Sequence, residues 1–471
     1  MVFSDIHFLY LFLPAFLVAY YIIPGRFKNA ALFAGSVLFY ALGSPEHPIY
    51  TLLLIVSAVA SWAFGRFIAS ATEPSYRKTA LAIALTFLFG ELFVCKYLGF
   101  LISSLNSLTG ALGIKGRLPV VELTLPVGIS FYVFQSASYL IDVYRGKFAS
   151  ERSLINYGAY LTMFPQLIAG PIVNYSTVKA RLHKRKHTFV GFTEGLKTFI
   201  LGLGLKVILA NNLAGLWRDA HTVGYESIST PMAWLAVIAY SLQLYFDFYG
   251  YSLMAKGMGR MLGFKLPDNF LHPYLSTSMT EFWRRWHVTL GTWFREYIYI
   301  PLGGNRKGLK RTILNMLVVW LLTGLWHGAS TNFLIWGGVL FVIMVLERLF
   351  LKNALDRFKP LGHLYMMILI PVTWAIFAET DLSRMGILLS RMFGINASAY
   401  AVLDPRDFLD ALGSYWYLLI AGVLLSTELP LRLYTRIKDS LFGTLLLAAM
   451  LGLSVYLICI GLNDPFLYFR F

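Results

Sequence analysis

Apolar runs of membrane-spanning length recur along the whole chain, and they limit the folds open to it more than any other feature. Only 14% of the residues are charged, against about one-quarter in a soluble protein. Because a spanning helix needs about 20 mostly apolar residues, the sequence predicts an all-α polytopic membrane protein with about ten to twelve spans. The candidate runs, of which two or three are short, are residues 6–23, 29–43, 49–65, 79–102, 125–143, 194–213, 231–253, 312–327, 331–349, 362–378, 413–429 and 440–461.

These runs leave no room for a soluble module, so one membrane domain over residues 1–471 is predicted. The first run is expected to be a retained helix, because Asp5 and His7 stand where a cleavable signal has positive charge. The net charge of +16 is distributed in short clusters between apolar runs, which is typical of cytoplasmic membrane loops. Without a nucleic-acid module beside this charge, the expected partner is the lipid bilayer and not nucleic acid.

The basic clusters also assign the sides of the membrane. Arg26 and Lys28 follow the first run, which places their loop in the cytoplasm and the N-terminus outside. The densest cluster, residues 179–187, contains five lysines or arginines and two histidines. Lys115 and Arg117 lie in a loop that this assignment places outside the cytoplasm, so they disagree with it.

Residues 153–175 differ from an ordinary span. They are apolar but interrupted by Pro165, Gly170 and Pro171. Non-helical backbone at membrane depth must be buried by protein or reached by water. A re-entrant element lining a cavity and a plain interfacial loop are the two alternatives.

Residues 281–297 have an amphipathic pattern. At about 100° per residue, the arginines fall opposite one apolar face, which predicts a helix lying along the membrane interface. His287 is expected at the border between the two faces. The apolar face comprises Phe282, Trp283, Trp286, Leu290, Trp293, Phe294 and Tyr297.

Residues 312–350 contain the main site candidate, His327. Basic residues flank this run on both sides, so it must enter the membrane and return, with Gly328 allowing a tight turn. The 16 residues that follow Arg311 span about 24 Å of helix, which puts His327 deep in the membrane. An ionisable residue at that depth indicates function, and imidazole can stay neutral there and still accept a proton. The alternative is that His327 is a structural histidine that hydrogen-bonds a backbone carbonyl in the core. Among the other histidines, only His287 is a comparable candidate for the catalytic residue.

Other chemistries lack support in the sequence. There is no HExxH, Walker or GxSxG motif, and the two cysteines lack zinc-site spacing, so neither a metal nor a bound cofactor is expected. The glycine-rich stretch 301–308 lacks P-loop spacing and is expected to form a turn. With the basic helix before it, this turn suits an anionic donor such as coenzyme A or the phosphopantetheine of an acyl carrier protein. An anchor on anionic lipid is the alternative.

Two segments resemble the signature regions of the membrane-bound O-acyltransferase family. They are FWRRWHVTLGTWFREYIYIPLGGNR, residues 282–306, and LLTGLWHGASTNFLIWG, residues 321–337. Within the family the chain is similar to the bacterial alginate O-acetyltransferase branch, which residues 125–146, 164–173 and 245–264, followed by Asn269, also match. The resemblance covers essentially the whole chain, with a signature core at about residues 125–350.

One departure affects the expected site. The branch often carries Ser and Asp where this chain has Tyr249 and Leu253. No acidic partner for a histidine is therefore expected from that helix.

The resemblance implies a ring of helices around a thinned centre, with a donor at the cytoplasmic mouth and an acceptor hydroxyl at the other. His327 matches the family's catalytic histidine, and His287 matches a second histidine whose role is less settled. The residues that we assign to substrate or donor binding are Trp283, Arg284, Arg285, Trp286, Arg295, Asn305, Trp326 and Asn332.

The function expected is transfer of an acetyl group from acetyl-coenzyme A, or another acyl thioester, to a hydroxyl of an extracytoplasmic polysaccharide. His327 acts either as the general base or through an acyl-histidine intermediate. The resemblance further implies a bacterial cytoplasmic membrane location and a separate extracytoplasmic acetyltransferase that receives the acetyl group.

Two alternatives stay open. One is D-alanyl transfer from a carrier protein to a cell-wall polymer. The other is a transporter or flippase. This function explains the spans but neither the amphipathic segment nor the Trp-His-Gly turn. Transporters often contain inverted repeats, and none is detected in this sequence.

Overall fold

The computed structural model describes residues 2–114, 116–120, 123–168, 170–395, 402–461 and 466–467. Helices make up 77% of the structure, and the described residues contain no strand. The predicted all-α class is confirmed.

The helices have the following bounds. The first twelve are α1 (Leu13–Ile22), α2 (Lys28–Gly43), α3 (Pro48–Ser70), α4 (Pro74–Leu92), α5 (Leu98–Ala111), α6 (Ile129–Tyr144), α7 (Leu154–Leu161), α8 (Phe164–Leu167), α9 (Tyr175–His183), α10 (Phe189–Gly204), α11 (Asn211–Val223) and α12 (Thr230–Met261). Then follow α13 (Met279–Arg285), α14 (Val288–Phe294), α15 (Gly308–His327), α16 (Thr331–Leu346), α17 (Lys352–Arg357), α18 (Lys359–Ala378), α19 (Leu382–Met392), α20 (Asp407–Leu425), α21 (Leu429–Ile437) and α22 (Leu441–Cys459). Short 3₁₀ turns lie at Gly25–Phe27 and Pro273–Leu275, and π-helical turns at Phe8–Phe12, Phe93–Tyr97, Leu205–Ala210, Arg295–Tyr299 and Glu347–Leu351.

Eight helical stretches of the described chain are long and apolar enough to cross a membrane. They are Pro48–Ser70, Pro74–Ala111, Phe189–Val223, Gly308–His327, Thr331–Arg357, Lys359–Ala378, Asp407–Leu425 and Leu441–Cys459. The first predicted run forms a shorter apolar helix, Phe8–Ile22. Three further runs form α2, α6 and α12, which fall short of the eight in length or apolar content, and this accounts for the lower count. The multi-pass character is confirmed, whereas the ring and its thinned centre stay predictions.

The chain divides into two compact units. Unit 1 consists of Met1–Leu196 and Ala255–Pro267, and unit 2 of Lys197–Met254 and Asp268–Phe471. The single domain expected over residues 1–471, with its signature core, stays a prediction.

In unit 1, α6 packs against α3 and α4, and α7 packs against α2 and α3. The interrupted segment 153–175 is buried here: all four side chains of α8 are inaccessible to solvent. The backbone N–H of Phe164 donates to the Ser36 hydroxyl at 3.1 Å, and the Gln166 amide donates to the Tyr160 carbonyl at 2.7 Å. Protein groups thus satisfy part of this irregular backbone, and the re-entrant element and the interfacial loop both stay predictions.

In unit 2, α15 and α16 form a helical hairpin, and both α13 and α18 pack against α16. The segment predicted as one amphipathic helix is broken: α13 ends at Arg285, α14 begins at Val288, and His287 between them has a left-handed φ of 44°. A left-handed residue cannot continue a right-handed helix. The expected single helix is therefore wrong, and so is the border position of His287, which is only 1% exposed.

The amphipathic pattern itself is confirmed on both sides of this break. Arg284 and Arg295 are exposed. The apolar-face residues that are buried are Phe282, Trp286, Leu290, Trp293, Phe294 and Tyr297.

Candidate active site

His327, the last residue of α15, lies in a box of aromatic rings. Its side chain is buried, and its ring centroid lies 5.0 Å from that of Trp326, 5.1 Å from that of Trp336 and 5.2 Å from that of Phe377. All three rings meet the imidazole edge to face, at 82–87°. This enclosure limits the access of bulk water to the imidazole.

The turn after His327 requires glycine at position 328 because a side chain does not fit there, and not because of an unusual backbone conformation. Gly328 has a φ of −166°, an extended conformation that any residue adopts, so the conformational role predicted for it is wrong. A Cβ at this position would lie 2.1 Å from the Phe333 ring. Glycine is needed here because the ring occupies that volume.

Two further glycines let α15 and α16 approach closely. A Cβ on Gly324 would lie 2.3 Å from the Phe333 carbonyl oxygen, and one on Gly337 would lie 2.5 Å from that of Trp320. The contact is therefore backbone against backbone, and it holds the indole of Trp336 against His327.

His287 is anchored by Asn269, which lies 18 residues earlier. Its Nδ1 is 3.1 Å from the Asn269 Oδ1, and the same oxygen accepts from the Thr289 hydroxyl at 2.8 Å and the Thr289 N–H at 3.3 Å. The Asn269 carbonyl also accepts from the Val288 N–H at 3.0 Å. Asn269 thus holds the break between α13 and α14 with both its side chain and its backbone.

This geometry sets the tautomer of His287. An amide oxygen only accepts hydrogen bonds, so Nδ1 carries the proton and Nε2 the lone pair. The two Thr289 donors on the same atom support its assignment as the oxygen. Burial lowers the pKa of His287 to about 3, and the ring is therefore neutral near pH 7.

Trp326 links the two histidines. Its ring centroid lies 5.7 Å from that of His287 and 5.0 Å from that of His327. On the other side, Phe248 of α12 packs edge to face on His287 at 4.7 Å. Unit 2 therefore brings both predicted catalytic residues into one aromatic cluster, whose further members include Tyr245, Phe270, Tyr274, Phe282, Trp283, Trp286, Trp320, Trp336, Trp374 and Phe377.

The residues predicted to bind substrate or donor separate into two groups. Trp283, Trp286 and Trp326 belong to the aromatic cluster. Asn332 is fully buried beside it, where its amide donates to the carbonyls of Ile376 at 3.3 Å and Phe377 at 3.0 Å. Asn332 thus holds in place the phenyl ring that packs on His327.

The polar members of that set lie outside the cluster. Arg284, Arg295 and Asn305 are exposed, and the Asn305 side chain accepts a hydrogen bond from the Tyr299 hydroxyl. Arg285 is partly buried and forms an ion pair with Glu281 at 2.6 Å. The structure does not bring these side chains to the histidines, and their assignment to the donor stays a prediction.

Several residues of the site were not predicted from the sequence. Asn269 entered only as part of a matching segment, and Trp336 and Phe377 looked like ordinary core residues. Glu347, buried at the end of α16, accepts from the N–H groups of Met279 at 2.5 Å and Thr280 at 2.9 Å, and so caps α13. The sequence feature that could have identified Glu347 is a carboxylate at the edge of an apolar run.

Asp247 of α12 is buried and pairs with Lys206 at 2.6 Å. The described residues contain no group of three or more His, Cys, Asp or Glu side chains suited to a metal ion.

Comparison with known proteins gives consistent matches. The sequence pattern of the membrane-bound O-acyltransferase family matches residues 146–378. A probable alginate O-acetylase of Pseudomonas putida is 40% identical over 84% of this chain and 80% of its own length. A peptidoglycan O-acetyltransferase of Helicobacter pylori is 31% identical over 86% of this chain and 82% of its own length. A teichoic acid D-alanyltransferase of Bacillus subtilis is 25% identical over 53% of this chain and 65% of its own length.

Proposed function

The chain belongs to the membrane-bound O-acyltransferase family, and we propose that it moves an acetyl group from a cytoplasmic thioester to a hydroxyl for O-acetylation of an extracytoplasmic polysaccharide. It is a multi-pass membrane acyltransferase. Relatives named for O-acetylation match over more than four-fifths of the chain, whereas the D-alanyltransferase matches over 53%. This difference in coverage favours the acetyl group.

The observation that carries the proposal is the placement of His327. It ends a membrane-spanning helix inside an aromatic box, and Trp326 lies between it and His287. A water-poor site of this kind protects a thioester from hydrolysis while leaving a base for the acceptor.

In the proposed reaction, His327 accepts the proton of the acceptor hydroxyl as its oxygen attacks the thioester carbonyl. The carbon–sulfur bond then breaks, and the leaving thiolate takes the proton back from the imidazolium. General-base help of this kind contributes about 10²–10⁴-fold to the rate. In the alternative sequence, the imidazole itself first takes the acyl group.

We assign His287 to the same site as the second catalytic candidate. Its protonated Nδ1 is held by Asn269, and in this tautomer Nε2 is the ring atom that accepts a proton. We further propose acetyl-coenzyme A or an acyl carrier protein as the donor, a bacterial cytoplasmic membrane as the location, and a separate extracytoplasmic acetyltransferase as the recipient.

The test is acetyl transfer from labelled acetyl-coenzyme A by the purified protein, alone and with its native membrane extract. His327→Ala should lower transfer by at least about 100-fold while the protein stays folded in membranes at the assay temperature. The matched control is His363→Ala, which removes an exposed imidazole from α18 and should transfer like the wild type.

Full transfer by His327→Ala would refute the assignment of the base. If the wild type transfers D-alanine from its carrier protein and acetyl from neither coenzyme A nor a carrier protein, the D-alanyl alternative replaces acetyl transfer. If neither donor is used and labelled lipid-linked glycan moves across vesicles, the transporter alternative is favoured.

A further inference from the structure

Unit 1 contains a strongly basic cavity that the acyl-transfer proposal does not use. It has a volume of about 750 Å³, and the described residues that line it include four cationic side chains and two histidines: Arg26, Lys28, Lys184, Arg185, His183 and His187. None of the fourteen described lining residues is acidic. The nearby carboxylate of Glu151 already accepts from the Tyr175 hydroxyl at 2.6 Å and pairs with His183 at 2.9 Å.

Two of these cations lie near the same aromatic ring. The Nζ of Lys28 lies 4.9 Å from the centroid of the Tyr20 ring, and the guanidinium carbon of Arg185 lies 5.7 Å from the same centroid. Burial, and then the charge of Arg185, lower the pKa of Lys28. Like charges held together without a counter-ion destabilise the folded state unless an anion joins them.

Arg185 is fixed in position and keeps one donor available. Its Nε donates to the Tyr20 hydroxyl at 2.8 Å and its Nη1 to the Asn29 side chain at 2.5 Å. Its Nη2 is buried and has no hydrogen-bond partner within the described part of the chain. A guanidinium held on two sides with a third donor to spare is suited to a phosphate oxygen.

His187 completes this arrangement. The Tyr20 hydroxyl donates its one proton to the Leu262 carbonyl at 3.0 Å, so the His187 Nε2, 3.1 Å away, must donate to the hydroxyl oxygen. The Nε2 proton of His187 is thereby used within the cavity wall, which Tyr20 and Asn29 hold rigid, and the positive charge around the cavity comes from its lysine and arginine side chains.

We propose that this cavity binds a phosphate group through Arg185, Lys28 and the neighbouring cations. Phosphate fits because it supplies several acceptor oxygens and at least one negative charge, and the four lysine and arginine side chains of the cavity have no acidic residue among the described lining residues. The group can come from the coenzyme A part of a thioester donor or from the headgroup of an anionic lipid, since both reach a basic surface between spans. Only the first source rests on the proposed function.

The test measures binding without turnover, so its failure leaves acyl transfer untouched. The full-length protein in neutral phosphatidylcholine nanodiscs is titrated with coenzyme A. In a second arm, phosphatidylglycerol retained by the protein is quantified by mass spectrometry, and inorganic phosphate serves as competitor in both arms. The variants are Lys28→Gln, Arg185→Gln and the matched control Lys186→Gln, which removes the same charge from an exposed residue outside the cavity.

We expect Arg185→Gln to weaken binding at least tenfold and Lys28→Gln at least fivefold, with Lys186→Gln within twofold of the wild type. If the cavity variants lose coenzyme A binding, the phosphate group comes from the thioester donor. If they lose only the retained phosphatidylglycerol, it comes from the lipid headgroup. If both cavity variants bind both probes like the wild type, the proposal is overturned. Should Arg185→Gln fail to fold, Lys28→Gln decides, because it leaves the bonds to Tyr20 and Asn29 intact.

Discussion

His287 illustrates how one buried side chain acquires its charge state from its surroundings. Its left-handed backbone turns the ring inward between α13 and α14, where Phe248 and Trp326 cover it and Asn269 holds Nδ1. Burial disfavours the imidazolium, and the amide oxygen selects the tautomer. A base is thereby kept unprotonated at pH values where an exposed histidine is already charged.

A pH dependence of stability follows from this burial. The unfolded His287 titrates near pH 6.5, and the pKa in the folded state is about 3. Between these values the unfolded chain binds the extra proton, so stability falls as the pH falls, by up to about 1.4 kcal/mol per pH unit. The variant His287→Asn tolerates the left-handed backbone and lacks this titration.

The measurement is the unfolding free energy of both proteins in detergent at pH 6.5 and pH 4.5. The advantage of the wild type over His287→Asn should shrink on acidification. A difference that stays constant over this range would contradict the assignment of a depressed pKa to His287.

At the scale of secondary structure, the α15–α16 hairpin determines where His327 lies. Its two helices approach so closely that Gly324 and Gly337 meet the backbone of the opposite helix. Glu347 extends the same hairpin towards α13 by capping that helix. Of the aromatic box around His327, only Trp326 is its neighbour in sequence, whereas helix packing brings Trp336 and Phe377 to the histidine.

Two adjacent glycines of α16 allow a matched test of this packing. Gly337→Ala places a Cβ 2.5 Å from the Trp320 carbonyl oxygen, whereas a Cβ on Gly338 has nothing within 4 Å. We expect Gly337→Ala to destabilise the protein by about 1–3 kcal/mol through overpacking and to lower acetyl transfer as His327 shifts. Gly338→Ala should be neutral or slightly stabilising, because alanine favours helix.

Thermal unfolding and transfer are measured on both variants. Equal stability of the two would mean that the helices are not in backbone contact at this point.

At the scale of the whole molecule, the buried Asp247 carboxylate contacts two residues that are distant from it in sequence. Its carboxylate pairs with Lys206 and accepts from the Leu467 N–H at 2.8 Å, across 220 residues. Phe466, the neighbour of Leu467, packs on Phe248, which in turn contacts His287. Phe466 and Leu467 are thus linked to the candidate site through the Phe248 ring and the Asp247 carboxylate.

The Lys206–Asp247 pair predicts non-additive substitutions. Lys206→Met leaves a buried carboxylate uncompensated and should cost about 3–5 kcal/mol. The double variant Lys206→Met/Asp247→Asn removes both charges and retains an acceptor for Leu467, so it should be more stable than Lys206→Met. The measurement is a double-mutant cycle of unfolding free energies, in which strictly additive effects would show that the two charges do not interact.

Local composition and periodicity were sufficient to predict much of this protein. Each of the predicted apolar runs forms a helix, and the turn beside His327 and the buried face of residues 281–297 follow from short-range patterns. The reason is that helix formation and burial of an apolar face depend on residues three or four apart, which the sequence displays directly.

Only the tertiary structure decided how the site is assembled. The break at His287 requires Asn269, the box around His327 requires Phe377 of α18, and Gly328 is needed because of the Phe333 ring. The basic residues 183–187 likewise become a cavity only where they meet the loop after α1. These features arise from contacts between segments far apart in sequence, where volume and hydrogen-bond partners come from other helices and leave no local periodic signal.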